Sequence, residues 1–137
     1  MSAAPDLAIG IGCRLNCPAQ AIAALVAAAL ARVPGGEMAQ KILFTLEHKR
    51  GQACIAEAAR LLEMELRYLS VGSLQAAMPR VQTFSSRAQA LLGGASVAEA
   101  AALAGAGLRA QLIVARLAAN GATCAIAADM SHQGGHA

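Results

Sequence analysis

Short apolar runs alternate with helical segments along most of the chain, and this order constrains the fold more than any other feature. Leu7–Gly12 and Ile42–Leu46 are apolar runs with the length of buried strands. Between them, Pro18–Arg32 is alanine-rich and starts with a proline, a residue favoured at the first helical position. We expect Asn16 or Cys17 to take the N-cap. The repeated strand and helix order predicts an α/β domain.

The middle of the chain continues this alternation. In Gln52–Met64 the apolar residues recur at the spacing of one helix face, and Glu65–Ser70 follows as a third strand. The sequence Ser96-Val97-Ala98-Glu99 has the form of a capping box, which marks a helix start. Three further helical segments are predicted, at Ser73–Met78, Ser86–Leu92 and Val97–Gly105.

A final pair of β-like runs surrounds Asn120-Gly121, the strongest short hairpin signal in a sequence. Because a hairpin is antiparallel, it makes the sheet mixed. We therefore expect a single three-layer α/β/α domain over residues 1–130, with a mixed, about five-stranded sheet ending in a β-hairpin. Residues 131–137 are polar and contain glycine, so we expect a flexible tail.

Composition narrows the classes of partner. Eleven Lys and Arg against eight Asp and Glu give a net charge of +3, which favours an anionic ligand. Aromatic residues make up only 2% of the chain, which argues against base stacking and hence against nucleic acid. The longest apolar run, Ala19–Val33, is shorter than the roughly 20 residues that cross a bilayer. No basic segment precedes the first apolar run, so we expect no secretory signal, no membrane partner and a cytoplasmic location.

The four cysteines do not form a recognisable metal motif. No CxxC pair and no zinc-finger spacing occur among Cys13, Cys17, Cys54 and Cys124. We therefore expect no metal and no cofactor. Cys54 and Cys124 fit small buried residues of a helix and a strand. Cys17 precedes a helix, whose positive end can lower a thiol pKa. A redox or metal-binding pair of Cys13 and Cys17 therefore remains an alternative.

The stretch GIGCRLNCP, residues 10–18, is best explained as an anion-binding loop. A dinucleotide fingerprint fails because Leu15 stands at its third glycine position. The glycines permit a sharp turn, helix N–H groups point at the ligand, and Arg14 supplies a guanidinium that matches carboxylates. Polar or basic residues follow the other strands and are expected near the same site. The candidate substrate-binding residues are Gly10, Gly12, Cys13, Arg14, Cys17, Lys49, Ser70 and Arg116.

Five segments also occur in the order of a known family. They are GIGCR (10–14), ILFTLEHK ending in Lys49, LRYLS (66–70), SVAEAAAL (96–103) and the closing LIVAR with NGATCAIA. Through them the chain resembles the cobalamin-biosynthesis family that comprises CobE and the C-terminal domain of CbiG. The family often continues GCR with a basic residue and glycine, whereas this chain has Leu15-Asn16.

The resemblance implies a protein that binds or carries a precorrin or hydrogenobyrinic acid, whose acetate and propionate arms would meet the basic residues. Because the sequence begins at the first strand, we expect the stand-alone CobE type of the aerobic pathway, an accessory binding protein that also contacts other cobalamin-pathway enzymes. One alternative is an enzyme acting on the precorrin ring, similar to a cobalt-precorrin-5A hydrolase, with Lys49 or Cys17 in an activating role. Thiol redox or metal chemistry at Cys13 and Cys17 is the second.

Overall fold

The computed structural model describes residues 6–14, 16–47, 51–84 and 96–129. These ranges contain five strands and four α-helices: strands and helices alternate up to the third strand, two helices follow it, and two strands end the domain, in the order that the sequence predicts. The strands are β1 (Leu7–Cys13), β2 (Lys41–Leu46), β3 (Glu65–Leu69), β4 (Ala110–Ala119) and β5 (Ala122–Asp129). The helices are α1 (Ala19–Leu30), α2 (Ala53–Leu62), α3 (Val71–Ala77) and α4 (Val97–Ala106).

The five strands form one mixed sheet in the order β3-β2-β1-β5-β4. The pairs β1–β2 and β2–β3 are parallel, whereas β1–β5 and β5–β4 are antiparallel. Two successive antiparallel pairings make β4 run in the same direction as β1. The predicted mixed sheet with a final hairpin is therefore confirmed.

Both faces of the sheet are covered by helices. Ile9 and Ile11 of β1 point into a cluster that also contains residues of α1 and α2. Ala8, which precedes Ile9 and points to the other face, and Phe44 of β2 belong to a second cluster with residues of α3 and α4. Strands buried on both faces carry continuous apolar runs, which explains the composition of β1 and β2. The three-layer architecture is thus also confirmed.

Helix α4 lies unusually close to β1 because small residues meet at the contact. A β-carbon added to Gly10 would stand 1.9 Å from the carbonyl oxygen of Ala98 and 2.6 Å from the nitrogen of Ala102. At Gly105 of the same helix, an added β-carbon would stand 2.5 Å from the ring of Phe44. The small residues at this contact between α4 and the sheet are therefore a packing requirement.

Several predicted boundaries need correction. Pro18 itself is the N-cap of α1, with extended backbone, in place of Asn16 or Cys17. Ser70 does not end β3 but caps α3, because its hydroxyl accepts the N–H of Ser73 at 3.1 Å, so this helix begins earlier than predicted. The predicted segment Ser86–Leu92 and the tail 131–137 lie outside the described residues.

The hairpin turn has the geometry that its sequence predicts. Asn120 has φ 54° and Gly121 has φ 88°, and positive φ at both central residues is characteristic of a type I′ turn. No α-helix in the described part of the chain has the length and apolar character needed to cross a membrane.

Candidate ligand-binding edge

Four strands end at the same edge of the sheet, and we call this the carboxyl edge. Strands β1 to β3 are parallel, β4 runs with them, and β5 begins there after the hairpin turn. Helices α1 and α2 also start at this edge, so the positive ends of their dipoles lie beside it. The strand order also reverses at this edge: β2 and β3 lie on one side of β1, whereas β5 and β4, which come later in the chain, lie on its other side. Ligands of open α/β sheets commonly bind at such a switch point.

Arg14 is fixed in the middle of the carboxyl edge by backbone hydrogen bonds. Its N–H donates to the carbonyl of Gly121 at 2.8 Å, and its carbonyl accepts the N–H of Cys17 at 3.2 Å. Asn16 adopts a left-handed conformation, with φ 68°, within this turn. The stem of Arg14 lies against the hairpin turn, since an added β-carbon at Gly121 would lie at an ordinary contact distance of 3.9 Å from its Cβ and Cδ.

Arg14 is exposed, and its guanidinium forms no ion pair with the residues that the structure describes. The ion pairs within these ranges join Arg60 to Glu57 and Arg67 to Glu65. Arg80 instead donates to two backbone carbonyls near the start of β4. Arg14 therefore combines a fixed backbone with a cationic side chain available to an external carboxylate.

The two predicted glycines lie beneath the site and do not face outward. Gly10 is buried against α4, as described above, so its lack of a side chain serves packing. Gly12 is also buried, and an added β-carbon would meet the hydroxyl of Thr123 at 2.6 Å and Cβ of Val97 at 3.8 Å. The first turn of α4 therefore packs against Gly12, which precedes Arg14 by two residues. Both glycines thus shape the support under the candidate site.

The remaining predicted contacts are spread along the edge. Ser70 follows β3, is exposed, and lies 3.0 Å from the hydroxyl of Ser73. Arg116 is exposed on β4, three residues before the end of that strand. With strands about 4.8 Å apart, each lies two strands, or about 10 Å, to one side of β1. Lys49, predicted from its place after β2, lies outside the described residues.

The cysteines are arranged differently from the sequence-based expectation. Cys13 does not pair with Cys17 but lies with its Sγ 3.9 Å from that of Cys54. Cys17 is buried, and its Sγ donates to the carbonyl of Asn120 at 3.5 Å. Burial, with a smaller contribution from Cys54, raises the pKa of Cys17, so the expected lowering is wrong in direction. Cys54 is only half-buried. Cys124 is buried, and this burial raises its pKa to about 12.

No group of three or more His, Cys, Asp or Glu residues within the described ranges has an arrangement that could hold a metal ion. The sequence alone does not indicate the Cys13–Cys54 contact, because the two residues are 41 positions apart. No spacing motif marks such a pair.

Glu99 is a second residue whose role the sequence did not reveal. Its side chain is fully buried. Only one half of the predicted capping box forms: the hydroxyl of Ser96 accepts the N–H of Glu99 at 3.2 Å, but the Glu99 carboxylate is not used to cap the helix. The carboxylate instead accepts the N–H groups of Gln82, Thr83 and Arg116 and the hydroxyl of Thr83, at 2.7 to 2.9 Å. Glu99 therefore joins the 82–83 segment to the edge strand β4.

Burial by itself raises the pKa of Glu99, but these hydrogen bonds outweigh it. The N–H of Arg116, the hydroxyl and N–H of Thr83 and the N–H of Gln82 all stabilise the carboxylate, so the pKa lies below its ordinary value of 4.5. Glu99 is thus an ionised residue inside the protein. Among the described residues, its charge is stabilised by hydrogen bonds from neighbouring segments.

Comparison with known proteins agrees with this architecture. The sequence matches the family described as Cobalamin synthesis G C-terminus over residues 7–127. A relative described as Protein CobE, from Sinorhizobium sp, is 31% identical over 125 residues, covering 91% of this chain and 81% of its own.

Two crystal structures are similar to the whole domain. CobE, described as a protein from the cobalamin (vitamin B12) biosynthetic pathway, has a TM-score of 0.75 and 33% identity, with 93% of this chain and 92% of that chain covered. Cobalamin biosynthesis protein chiG from Agrobacterium tumefaciens has a TM-score of 0.69 and 36% identity, with 89% and 97% covered. The chain belongs to the Cobalamin synthesis G C-terminus family and is a cobalamin biosynthesis protein of the CobE and CbiG C-terminal type.

Proposed function

We propose that the protein binds a corrin-ring intermediate, a precorrin or hydrogenobyrinic acid, through the carboxylate arms of the ring at the carboxyl edge. The observation that carries this proposal is the placement of Arg14. Its backbone is held between the end of β1 and the hairpin turn, while its guanidinium is exposed and forms no ion pair with the described residues. A guanidinium in a fixed position is suited to bidentate contact with a carboxylate.

The width of the edge favours a large ligand with several carboxylates over a small anion. Ser70 and Arg116 flank Arg14, and the four strand spacings between β3 and β4 amount to about 19 Å. A ligand as small as phosphate would reach one of these residues only. A macrocycle with carboxylates on flexible arms around its rim can contact several of them together.

A single ion pair is too weak for micromolar binding, so the ligand must contact several residues at once. An exposed ion pair contributes only about 0 to 1 kcal/mol, whereas micromolar affinity corresponds to about 8 kcal/mol. Contacts from helix N-termini and burial of one face of the ring would have to supply the remainder. We therefore expect affinity to depend on the ring as well as on its charge.

A spectroscopic titration tests the proposal. Purified protein added to hydrogenobyrinic acid, and in parallel to individual precorrins, should change the visible absorption of the ring in a saturable way. Affinity should fall as salt rises, because screening weakens exposed ion pairs. The recovered ring should keep its mass if the protein binds without reaction. If no intermediate changes its spectrum or remains with the protein on gel filtration, the proposal is wrong.

Substitution of Arg14 gives a more specific expectation. Arg14→Ala should weaken binding of the same intermediate by up to about fivefold, since an exposed ion pair of about 1 kcal/mol is lost and each tenfold corresponds to about 1.4 kcal/mol. Arg109→Ala is the matched control, because it removes one exposed arginine from the opposite edge, just before β4. Isothermal titration calorimetry of both variants separates a local contact from an effect of net charge. Equal weakening in the two variants would contradict a specific role for Arg14.

A further inference from the structure

Two half-exposed thiols from distant parts of the chain meet beside Arg14. Cys13 is the last residue of β1, and Cys54 lies in the first turn of α2. Their sulfur atoms are 3.9 Å apart, and the Cys13 thiol also donates to Oε1 of Gln52 at 3.1 Å. This second contact directs the Cys13 side chain toward the start of α2, where Cys54 is located.

We propose that Cys13 and Cys54 are a dithiol modification site that converts reversibly to an intramolecular disulfide. A disulfide has sulfur atoms about 2.05 Å apart, so the two sulfurs must approach each other by about 1.9 Å. Both residues lie at the end of an element, where a side-chain rotation and a small backbone adjustment can supply this movement. The inference does not depend on what the carboxyl edge binds.

The other two cysteines are poorly placed for the same reaction. Cys17 is buried, with its thiol directed at the carbonyl of Asn120, and Cys124 is fully buried within β5. Burial disfavours the thiolate form that attacks a disulfide. Neither residue has the combination of partial exposure and a neighbouring thiol that Cys13 and Cys54 share.

The oxidant is a low-molecular-weight disulfide of the glutathione class. The thiolate of one cysteine attacks this disulfide, which forms a mixed disulfide with the protein and releases one small thiolate. The second cysteine then loses its proton and attacks the protein sulfur of the mixed disulfide, which releases the second small thiol. The protein loses two electrons and two protons, and the small disulfide is reduced to two thiols.

Thiol trapping after equilibration with oxidised and reduced glutathione tests the inference. The reduced protein should carry four reactive thiols after denaturation, and the oxidised protein two, with a mass about 2 Da lower. Peptide mapping should identify one cross-link, between Cys13 and Cys54. An excess of reduced glutathione should restore all four thiols.

Three variants make the assignment specific. Cys17→Ser is the control and should still form the disulfide, since serine can donate to the carbonyl of Asn120 as the thiol does. Cys13→Ser and Cys54→Ala should abolish the cross-link; Cys54→Ala, at a partly exposed first-turn position of α2, keeps the test valid if Cys13→Ser does not fold by circular dichroism. Four free thiols in wild-type protein under fully oxidising conditions, or a cross-link between a different pair, would overturn the proposal.

Discussion

Replacing Gly10 with alanine is expected to destabilise the protein by at least about 3 kcal/mol, and the variant should accumulate poorly in folded form. The added methyl group would stand 1.9 Å from the carbonyl oxygen of Ala98 and 2.6 Å from the nitrogen of Ala102. Both atoms belong to the backbone of α4, so no side-chain rotation can relieve the clash. Overpacking of a core costs about 1 to 3 kcal/mol when side chains can adjust, and here α4 must move away from β1.

Gly72→Ala provides the matched control for this prediction. Gly72 is exposed in α3, and an added β-carbon would meet only the hydroxyl of Ser70, at an ordinary 3.9 Å. Alanine is favoured over glycine in helices by up to about 1 kcal/mol, so this variant should be neutral or slightly stabilised. Urea unfolding followed by circular dichroism measures both. A Gly10→Ala protein within about 0.5 kcal/mol of wild type would show that α4 does not pack against β1 as described.

Removal of the Glu99 carboxylate should have an effect of similar size. In Glu99→Ala, three backbone N–H groups and the Thr83 hydroxyl lose their acceptor. An unsatisfied buried donor costs about 1 to 3 kcal/mol, and water entering the space left by the side chain can replace part of the loss. We expect a decrease of about 3 to 5 kcal/mol in the free energy of unfolding, with release of residues 82–83 from β4.

The lowered pKa of Glu99 also predicts how stability depends on pH. A carboxyl group whose pKa is lower in the folded protein than in the unfolded chain stabilises the fold above its unfolded pKa, near 4.5. This contribution is lost as the pH falls through the folded pKa. Wild-type stability should therefore decrease progressively as the pH falls below about 5, as denaturant unfolding at a series of pH values would measure.

Glu99→Gln is the variant that isolates this carboxylate. It keeps the size of the side chain but cannot ionise, so the difference in stability between wild type and Glu99→Gln should be largest near neutral pH and shrink as the pH falls. Other carboxylates titrate in the same range in both proteins and cancel in the comparison. A difference that stays constant from pH 7 to pH 3 would contradict the predicted titration of Glu99.

The order of strands and helices could be predicted from local sequence. Apolar runs of strand length, the helical spacing in residues 52–64 and the Asn120-Gly121 pair each depend on neighbouring residues only, and the structure confirms all three. Arg14 could likewise be selected as a candidate because the end of a strand followed by a helix is recognisable locally. Its attachment to Gly121 could not, because that bond joins residues more than a hundred positions apart.

Contacts between distant segments account for what sequence reasoning missed. The sequence indicates a binding-loop role for Gly10, whereas the close approach of α4 gives it a packing role. Glu99 fits a capping box in the sequence, and only the fold shows that its carboxylate faces residues 82–83 and Arg116. The pairing of Cys13 with Cys54 follows from the position of α2 beside the end of β1. These partners come from distant parts of the chain, so no local pattern could identify them.

Backbone amide shifts of labelled protein, recorded during titration with hydrogenobyrinic acid, would show whether the proposed corrin-ring ligand binds at the carboxyl edge. Binding there should give saturable changes at Arg14, Gly121 and Ser73, which lie at that edge. Asp6 and Arg109, at the opposite edge, should change little. Changes concentrated around Asp6 and Arg109, or none at saturating ligand, would mean that the ring does not bind at the carboxyl edge.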